Sequence, residues 1–479
     1  MIRRTYKDAI SSLNSLQSNF ATIEAVRSSG VNRSSLLIPE MIEWTRRIGY
    51  KPSDLDKLNV IHVTGTKGKG STCAFAQSIL TQYRTPSSII GLYTSPHLKS
   101  VRERLMINGK PISEELFTKY FFDVWDRLDN TESDLGIFPH MGPGQKPAYF
   151  RFLTLLSFHT FVKENVDTAI YEVGVGGEYD STNIFVHPTA CGVTALGIDH
   201  TIMLGDTIEE IAWNKGGIYK SGSPCFTVEQ PQEALKVLRD RAEERNASEF
   251  IVVPVRSDLD DIKLGLSGEF QKQNASLAVA LCATHLAKLG FDINTEDDLP
   301  DEFVKGLETA KWAGRCQTLS DPKVKDLTWY ADGAHTKDSI VSGSKWFTSV
   351  TKRENKRVLL FNQQTRDVSI LISELYQQME SSGLKFDHCV FTTNITWSSG
   401  AYSDDLVSMN TSKQQVDSLE VQTKMAEIWN KLDKKSRKHL FHDIETSVNF
   451  IRSLEGPLDV FVCGSLHLVG GFLVVLDGK

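Results

Sequence analysis

The sharpest chemical signal in the chain is one octapeptide, Gly65-Thr66-Lys67-Gly68-Lys69-Gly70-Ser71-Thr72. Glycines at this density let a backbone fold back and aim several N–H groups at one anion, and a helix that follows adds its positive N-terminal end. Lys69 supplies a full positive charge for the outer phosphates of a nucleotide. The loop departs from the common G-x-x-x-x-G-K-[ST] pattern. Gly70 directly follows the lysine, where a hydroxyl ligand for magnesium normally stands. That ligand must therefore come from another segment.

Three segments meet the demand. They are Tyr93-Thr-Ser95-Pro-His97, Tyr171-Glu172-Val-Gly-Val-Gly-Gly177 and Leu196-Gly-Ile-Asp199-His200, and each follows an apolar, strand-like run. In parallel sheets ligands gather at the carboxyl ends of strands. Ser95, Glu172 and His200 would there offer a hydroxyl, a carboxylate and an imidazole to a magnesium ion completed by phosphate oxygens and water. Singly each is ordinary: a serine before proline marks a turn, a glutamate before glycines is often structural, and a histidine after aspartate caps a helix. Their matching position is what makes them a set. Lys215, in Ile211-Ala-Trp-Asn-Lys-Gly-Gly217, reads either as a helix-end lysine near the metal or as a solvated one.

The elements that must position these residues are legible. Asn59-Val-Ile-His-Val-Thr64 is a short β-branched run before the loop, and a helical stretch through Leu80 follows it, the opening of a βαβ unit. Residues 8–50 read as two helices, with Leu13, Leu16, Phe20, Ile23 and Val26 at helical spacing. Strands are expected near 88–93, 167–173, 190–195, 223–228 and 250–253, and helices near 113–128, 148–164, 207–219, 231–245 and 269–289. A second series begins after Trp312-Ala-Gly-Arg315, with strands near 327–331, 357–362, 386–392 and 458–462. Residues 400–415, rich in Ser, Asp, Asn and Thr, read as a long exposed loop. The expected fold is α/β in two domains: an N-terminal, P-loop-type, mostly parallel sheet flanked by helices over 1–311, and a smaller Rossmann-like domain over 312–479. Two such halves predict a ligand cleft between them.

Composition narrows the function. Lys+Arg total 53 against Asp+Glu 60, a net charge of −7, which argues against a nucleic-acid partner. No apolar run reaches the ~18 residues of a membrane span. Seven scattered cysteines form no CxxC pair, so zinc ribbons and redox motifs are not expected and a reducing compartment is. The N-terminus lacks the apolar core of a secretory signal. The expected location is cytoplasmic, with a minor mitochondrial pool.

The assembled pattern closely resembles the folylpolyglutamate synthases of the Mur-ligase superfamily, most of all the fungal ones. The segments that carry it are Gly65–Thr72, Ser95-Pro-His-Leu98 with Val101-Arg-Glu-Arg104, Tyr149-Phe-Arg-Phe-Leu-Thr154, Glu172–Gly177, Gly197-Ile-Asp-His200, Ala212–Gly217, Gly314-Arg315, Asp332-Gly-Ala-His335 and Gly464-Ser-Leu-His-Leu-Val-Gly470. They run in order over nearly the whole chain. The resemblance implies ATP-dependent addition of L-glutamate to the γ-carboxyl of a reduced folate, with an acyl phosphate on the way to ADP and phosphate. It implies ATP binding by Gly68, Lys69, Gly70, Ser71, Asn274, Arg315 and Asp332, with Asn274 near the adenine. Ser95, Glu172 and His200 match magnesium ligands, and Lys215 matches a lysine that can carry a carbamate and so become an anionic ligand. His335 and Ser465 fall where the incoming glutamate is held, with His335 also placed for positioning or proton transfer. The catalytic set it implies is thus Lys69, Glu172, His200, Lys215 and His335. Cys463 departs from the family's threonine, one small residue for another. The resemblance also implies a monomer, with magnesium as cofactor and a monovalent cation as a further candidate.

In Tyr149-Phe150-Arg151-Phe152, Tyr149 and Phe152 are expected to stack a pterin or benzoate ring while the segment steers an anionic tail; the plainer reading is a buried helix face. The alternatives are a dihydrofolate synthase or a bifunctional enzyme, a cell-wall Mur ligase, a nucleotide switch, and a non-catalytic folate-binding scaffold. A Mur ligase should lack the Ser95–Leu98 and Tyr149–Thr154 segments. A switch has no use for residues like His335 and Ser465, and a scaffold needs no metal ligands.

Overall fold

The computed structural model describes residues 4–17, 34–364, 367–402, 404–406 and 418–478. Phe20, Ile23, Val26 and most of the 400–415 loop fall outside these residues. The first sheet has eight strands in the order β4-β3-β2-β5-β1-β6-β7-β8. Its strands are β1 (Ile61–Thr64), β2 (Ile90–Tyr93), β3 (Leu105–Ile107), β4 (Lys110–Pro111), β5 (Thr168–Glu172), β6 (Ala190–Val193), β7 (Pro224–Val228) and β8 (Glu249–Val253). The six strands from β2 to β8 in this order are mutually parallel, while β3 pairs antiparallel with both β2 and β4. The second sheet has six strands, ordered β13-β12-β11-β14-β10-β9. They are β9 (Gln317–Ser320), β10 (Leu327–Ala331), β11 (Lys356–Phe361), β12 (His388–Phe391), β13 (Arg437–Leu440) and β14 (Leu458–Cys463), with β9 alone antiparallel.

Both faces of the first sheet are covered, which is why its strands read as continuous apolar runs. Ala169 and Tyr171 of β5 join one core with Phe117, Phe121, Phe152 and Phe158, from the helices Glu114–Asp129 and Tyr149–Lys163. Ile170 points the other way, into a core with Phe75 and Ile79 of the helix Lys69–Gln82 and Leu277 and Leu281 of the helix Gln271–Lys288. The second sheet alternates likewise, Leu359 and Phe361 to one side and Val358 and Leu360 to the other.

The expected helices and parallel strands are present with ends shifted by a few residues. The strands that sequence reading misses are β3, β4, β9 and β13. Each is short, and Arg437-Lys-His-Leu440 lacks the β-branched or apolar alternation that marks a strand. They lie towards sheet edges, where polar residues are ordinary. No helix among the described residues is long and apolar enough to cross a membrane.

This topology places β1 between β5 and β6, with β2 beyond β5. Because all four are parallel, the residues leaving their carboxyl ends share one rim of the sheet. Those residues are Gly65, Glu172, Thr194 and Ser95.

Candidate active site

The phosphate loop leaves β1 and enters the helix Lys69–Gln82 through Gly68, whose φ of +92° only glycine adopts at little cost. No side chain caps this helix. Its first N–H groups and positive dipole end thus face the loop, the arrangement that receives a phosphate. The loop is anchored from behind, with Thr66 and Lys67 both donating their N–H groups to Ala195 O at 3.0 and 3.1 Å. Its glycines are required by close neighbours as well as by backbone shape. A methyl group on Gly68 would lie 2.1 Å from Asn274 Oδ1, and one on Gly70 would lie 2.9 Å from Trp312 Nε1. Asn274 is held by Gln271 Oε1 at 2.9 Å, and Gln271 in turn donates to Ser71 Oγ at 3.2 Å. The N-terminal turn of the helix Gln271–Lys288 therefore packs on the loop. Trp312, read from sequence only as a boundary marker, lies against it too.

Two lysines share one carbonyl. Lys69 Nζ donates to Gly65 O at 3.1 Å and Lys215 Nζ donates to the same oxygen at 2.8 Å. Lys215 is only 3% exposed, so it is not the solvated lysine of the plainer reading. Burial pushes its ammonium well below the usual lysine range, and the neighbouring charge of Lys69 adds to the shift.

Glu172, at the end of β5, is buried and accepts the Ser95 N–H at 3.1 Å. Burial pushes its carboxyl up, and the charges of Lys69, Arg315 and Arg104 together with the Ser95 N–H pull it back. Cations from distant parts of the chain therefore bear on one carboxylate. A raised value means that the folded chain holds this proton more tightly than the unfolded chain does. The ionised form then costs stability, a cost absent at low pH and complete above the folded value. We expect Glu172→Gln to raise the melting temperature in metal-free buffer at neutral pH while abolishing turnover. Calorimetry beside an activity assay checks both halves; a lower melting temperature would contradict this account of Glu172.

His200 directly precedes the short helix Thr201–Leu204. It is exposed, at φ +53°, and its own N–H turns back to Asp199 Oδ1 at 2.8 Å. Among the described residues no three His, Cys, Asp or Glu side chains converge as a metal cage. Magnesium does not need one, since it is usually held by one or two carboxylates, phosphate oxygens and water. The donors present suit it: the buried Glu172 carboxylate and the hydroxyl of Ser95, whose N–H that carboxylate accepts.

Two further groups shape this rim. Asp180 accepts the N–H groups of Gly174 and Val175 at 3.1 and 3.2 Å and both donors of Thr182, which fixes the glycine run after Glu172. His97 Nδ1 accepts Arg104 Nε at 2.9 Å, so Nε2 carries the proton it donates to Asp405 O at 2.8 Å. Burial, with Arg104 beside it, pushes His97 down to about 3, and it stays neutral.

Leu98 crosses to the second sheet's core, where it packs with Trp329, Val460 and Val469. Its socket has two glycine walls. A methyl on Gly470 would lie 2.0 Å from Leu98 O, and one on Gly314 would lie 2.9 Å from Leu98 Cδ1. Gly314 directly precedes Arg315, so this contact sets the spacing between Ser95 and Arg315. Asp332, buried at the end of β10, spends its carboxylate on Cys316 N–H and Ala334 N–H at 2.8 and 2.9 Å. It thereby shapes the turns that carry Arg315 and His335. His335 Nδ1 donates to Gly333 O at 2.9 Å, which leaves Nε2 as the acceptor nitrogen of the ring. Ser465 caps the helix Leu466–Asp477 by accepting Leu468 N–H at 3.0 Å, and the preceding Gly464 donates its N–H to Ala334 O at 2.9 Å. Ser465 and His335 therefore lie on adjoining turns.

Over its full length the chain is 55% identical to folylpolyglutamate synthase of Saccharomyces cerevisiae strain S288c, covering 88% of that protein. The chain belongs to the folylpolyglutamate synthase family. Residues 316–475 also match the family model described as the C-terminal domain of dihydrofolate synthetase. Among solved structures, the apo form of L. casei FPGS aligns with a TM-score of 0.72 at 18% identity, covering 99% of this chain and 100% of that one. Mycobacterium tuberculosis folylpolyglutamate synthase complexed with ADP and AMPPCP aligns at 0.68 and 21% identity, covering 93% and 98%. These two likenesses show a common fold.

The expected folate contacts need one correction. Phe152 is fully buried, its ring centroid 5.0 Å from that of Phe121 and 5.7 Å from that of Trp125, so no ring face is left for a pterin. Arg151 is likewise committed, to Glu40 at 2.6 Å, and steers no substrate tail. Tyr149 is half-buried, with the Arg104 guanidinium 5.8 Å from its ring centre. Phe150 lies beside it, so close to Gly174 that a methyl there would sit 2.4 Å from the ring. Phe150 thus packs on the glycine run that follows Glu172, with Tyr149 beside Arg104. Phe152→Ala should cost about 3–5 kcal/mol of stability by leaving a cavity. Urea unfolding that shows no loss would return Phe152 to the list of folate contacts.

Proposed function

We propose that this chain is an ATP-dependent ligase that adds L-glutamate to the γ-carboxyl of a reduced folate and its polyglutamates, releasing ADP and phosphate. The observation that carries the site assignment is the buried Glu172 at the end of β5, which accepts the Ser95 N–H and feels the charges of Lys69 and Arg315, on the same sheet rim as the phosphate loop and its helix without a side-chain cap. On this reading the functional halves are 1–311 and 312–479, in keeping with two sheets drawn from separate stretches of chain.

The chemistry sets the demands on these residues. A carboxylate and an ammonium ion do not condense, because oxygen leaves poorly and the amine is protonated. Attack of the folate carboxylate on the γ-phosphorus releases ADP and gives an acyl phosphate. Lys69 and the N–H groups of Gly68, Gly70 and Ser71 offset the repulsion between the two anions. Glu172, Ser95 and His200 would hold magnesium, which supplies charge neutralisation on the phosphate oxygens. Lys215, depressed by burial, offers the neutral amine that carbamylation requires. Asn274, Arg315 and Asp332 complete the nucleotide site, and His335 and Ser465 hold the glutamate. His335 Nε2, its tautomer set by Gly333 O, takes the proton from the amine. The amine then attacks the acyl carbon, and as the C–O bond breaks the departing phosphate takes the second amine proton and leaves as hydrogen phosphate. Contact between the halves at Leu98 excludes water that would hydrolyse the acyl phosphate.

The reading extends to a monomer acting in the cytoplasm with a minor mitochondrial pool, and to a monovalent cation as an additional ion. On this reading Tyr149, half-buried beside Arg104, meets the folate ring system. Tyr149→Ala should raise the folate KM about tenfold and leave the ATP KM within twofold; equal increases in both would remove it from the folate site. Because one family model bears the name of a dihydrofolate synthetase, acceptor choice is the deciding assay. With ATP, magnesium and glutamate, tetrahydrofolate should be extended at least tenfold faster than dihydropteroate. The reverse order would assign the chain to dihydrofolate synthesis.

A further inference from the structure

The phosphate loop holds two lysines, and they point to different halves of the molecule. Lys69 stays within its own loop, on Gly65 O. Lys67 leaves it. Its root is fixed, because its N–H and that of Thr66 are bound to Ala195 O. Its ammonium donates to Thr336 Oγ1 at 2.5 Å, a residue 269 positions away, and lies 3.6 Å from the exposed Asp338 carboxylate.

Thr336 is the N-cap of the helix Lys337–Val350 and directly follows His335. Its hydroxyl, with the lysine proton on one side, is bonded to Ser339 Oγ at 2.8 Å. Ser339 Oγ in turn accepts the N–H groups of His335 and Thr336 at 3.0 and 2.9 Å. A short hydrogen-bonded chain therefore runs from the loop lysine to the backbone of His335. The Asp338 contact adds little, since an exposed pair at that distance is largely screened. The Thr336 contact is charge-assisted and part-buried, and such bonds are the stronger kind.

We propose that Lys67 is a positioning residue for the glutamate site: through Thr336 and Ser339 it fixes the His335 turn relative to the phosphate loop. It touches no reacting atom on this account. The loop that receives ATP and the turn that receives glutamate are then one hydrogen-bonded unit, so the second substrate is seated where the acyl phosphate forms. This inference rests on the ligase reading given above.

The test uses the full chain, ATP, magnesium, tetrahydrofolate and glutamate. Lys67→Met should raise the glutamate KM at least tenfold while changing the ATP KM less than threefold. Lys67→Arg, which keeps a long cationic donor, should recover most of that loss. Thr336→Val should mimic Lys67→Met, and the double variant should be no worse than the poorer single one, as expected of partners in one contact. Thr336→Ser, which keeps both the cap and the acceptor, should behave as the natural chain, and thermal unfolding of each variant separates a folding defect from a binding one. A raised ATP KM with an unchanged glutamate KM would place Lys67 on the phosphates and overturn the proposal. So would unchanged constants, or losses that add in the double variant. If the natural chain adds no glutamate at all, the ligase reading fails instead.

Discussion

Lys69→Met is expected to lower turnover about a thousandfold without unfolding the chain. The lysine supplies the full charge at the phosphate loop, and removing one such stabilising group from an enclosed site costs about 10²–10³ in rate. Its loss also changes two neighbours in a definite direction. Lys69 holds the Glu172 carboxyl down and pushes the Lys215 ammonium down. Without it, Glu172 takes up its proton at higher pH, and Lys215 keeps its proton to higher pH. Both shifts oppose a metal-binding carboxylate and a neutral amine, so the residual activity should also move to higher pH. Steady-state rates across pH, with circular dichroism to verify folding, provide the check. A loss smaller than tenfold would mean that the loop N–H groups act alone on the phosphates.

Gly470→Ala should lower kcat about a hundredfold although Gly470 touches no proposed substrate. Its α-carbon faces the backbone of Leu98, and a methyl group would lie 2.0 Å from Leu98 O. A carbonyl oxygen in the main chain cannot swing aside as a side-chain tip does, so the whole Ser95–Leu98 segment must move. Ser95 donates to Glu172, and the opposite wall of the socket is Gly314, next to Arg315. A displacement of about 1 Å at reacting groups is enough for such a loss. The adjacent Gly471→Ala is the control. There a methyl would meet Ile444 Cδ1 at 2.5 Å, the far end of a flexible side chain, and near-normal kcat is expected. Equal effects from the two variants would show that general crowding of the helix Leu466–Asp477, not the Leu98 socket, sets the rate.

The rim of the first sheet was readable from sequence because its chemistry is local. A β-branched run, a glycine loop with lysine and a helix admit few other folds, and Ser95 and Glu172 follow strands of the same kind. The partners of those residues are not local. Lys67 looks like any loop lysine until Thr336 is brought to it from the other half. His97 and Asp405 meet only through the fold, and so do Leu98 and Gly470. The aromatic segment illustrates a different limit. Tyr149-Phe-Arg-Phe-Leu-Thr-Leu-Leu156 is apolar nearly all round, so no helical period tells which face is outside. Phe152 stands about 200° around the helix from Phe150, and that rotation separates a core residue from one at the rim. Pairing across β12 and β13 was hidden by the charges on the edge strand. The net charge of −7 gave no hint of the cations that act on Glu172, because they are few and converge only in the folded chain.

The most direct test of the central claim is the mass of the product. The purified chain is incubated with ATP, magnesium, labelled glutamate and tetrahydrofolate, and the folates are separated and weighed. The account predicts a folate longer by one glutamate, with one ADP formed for each amide. Folded protein that yields no lengthened folate under these conditions, or consumes ATP without glutamate incorporation, would contradict it.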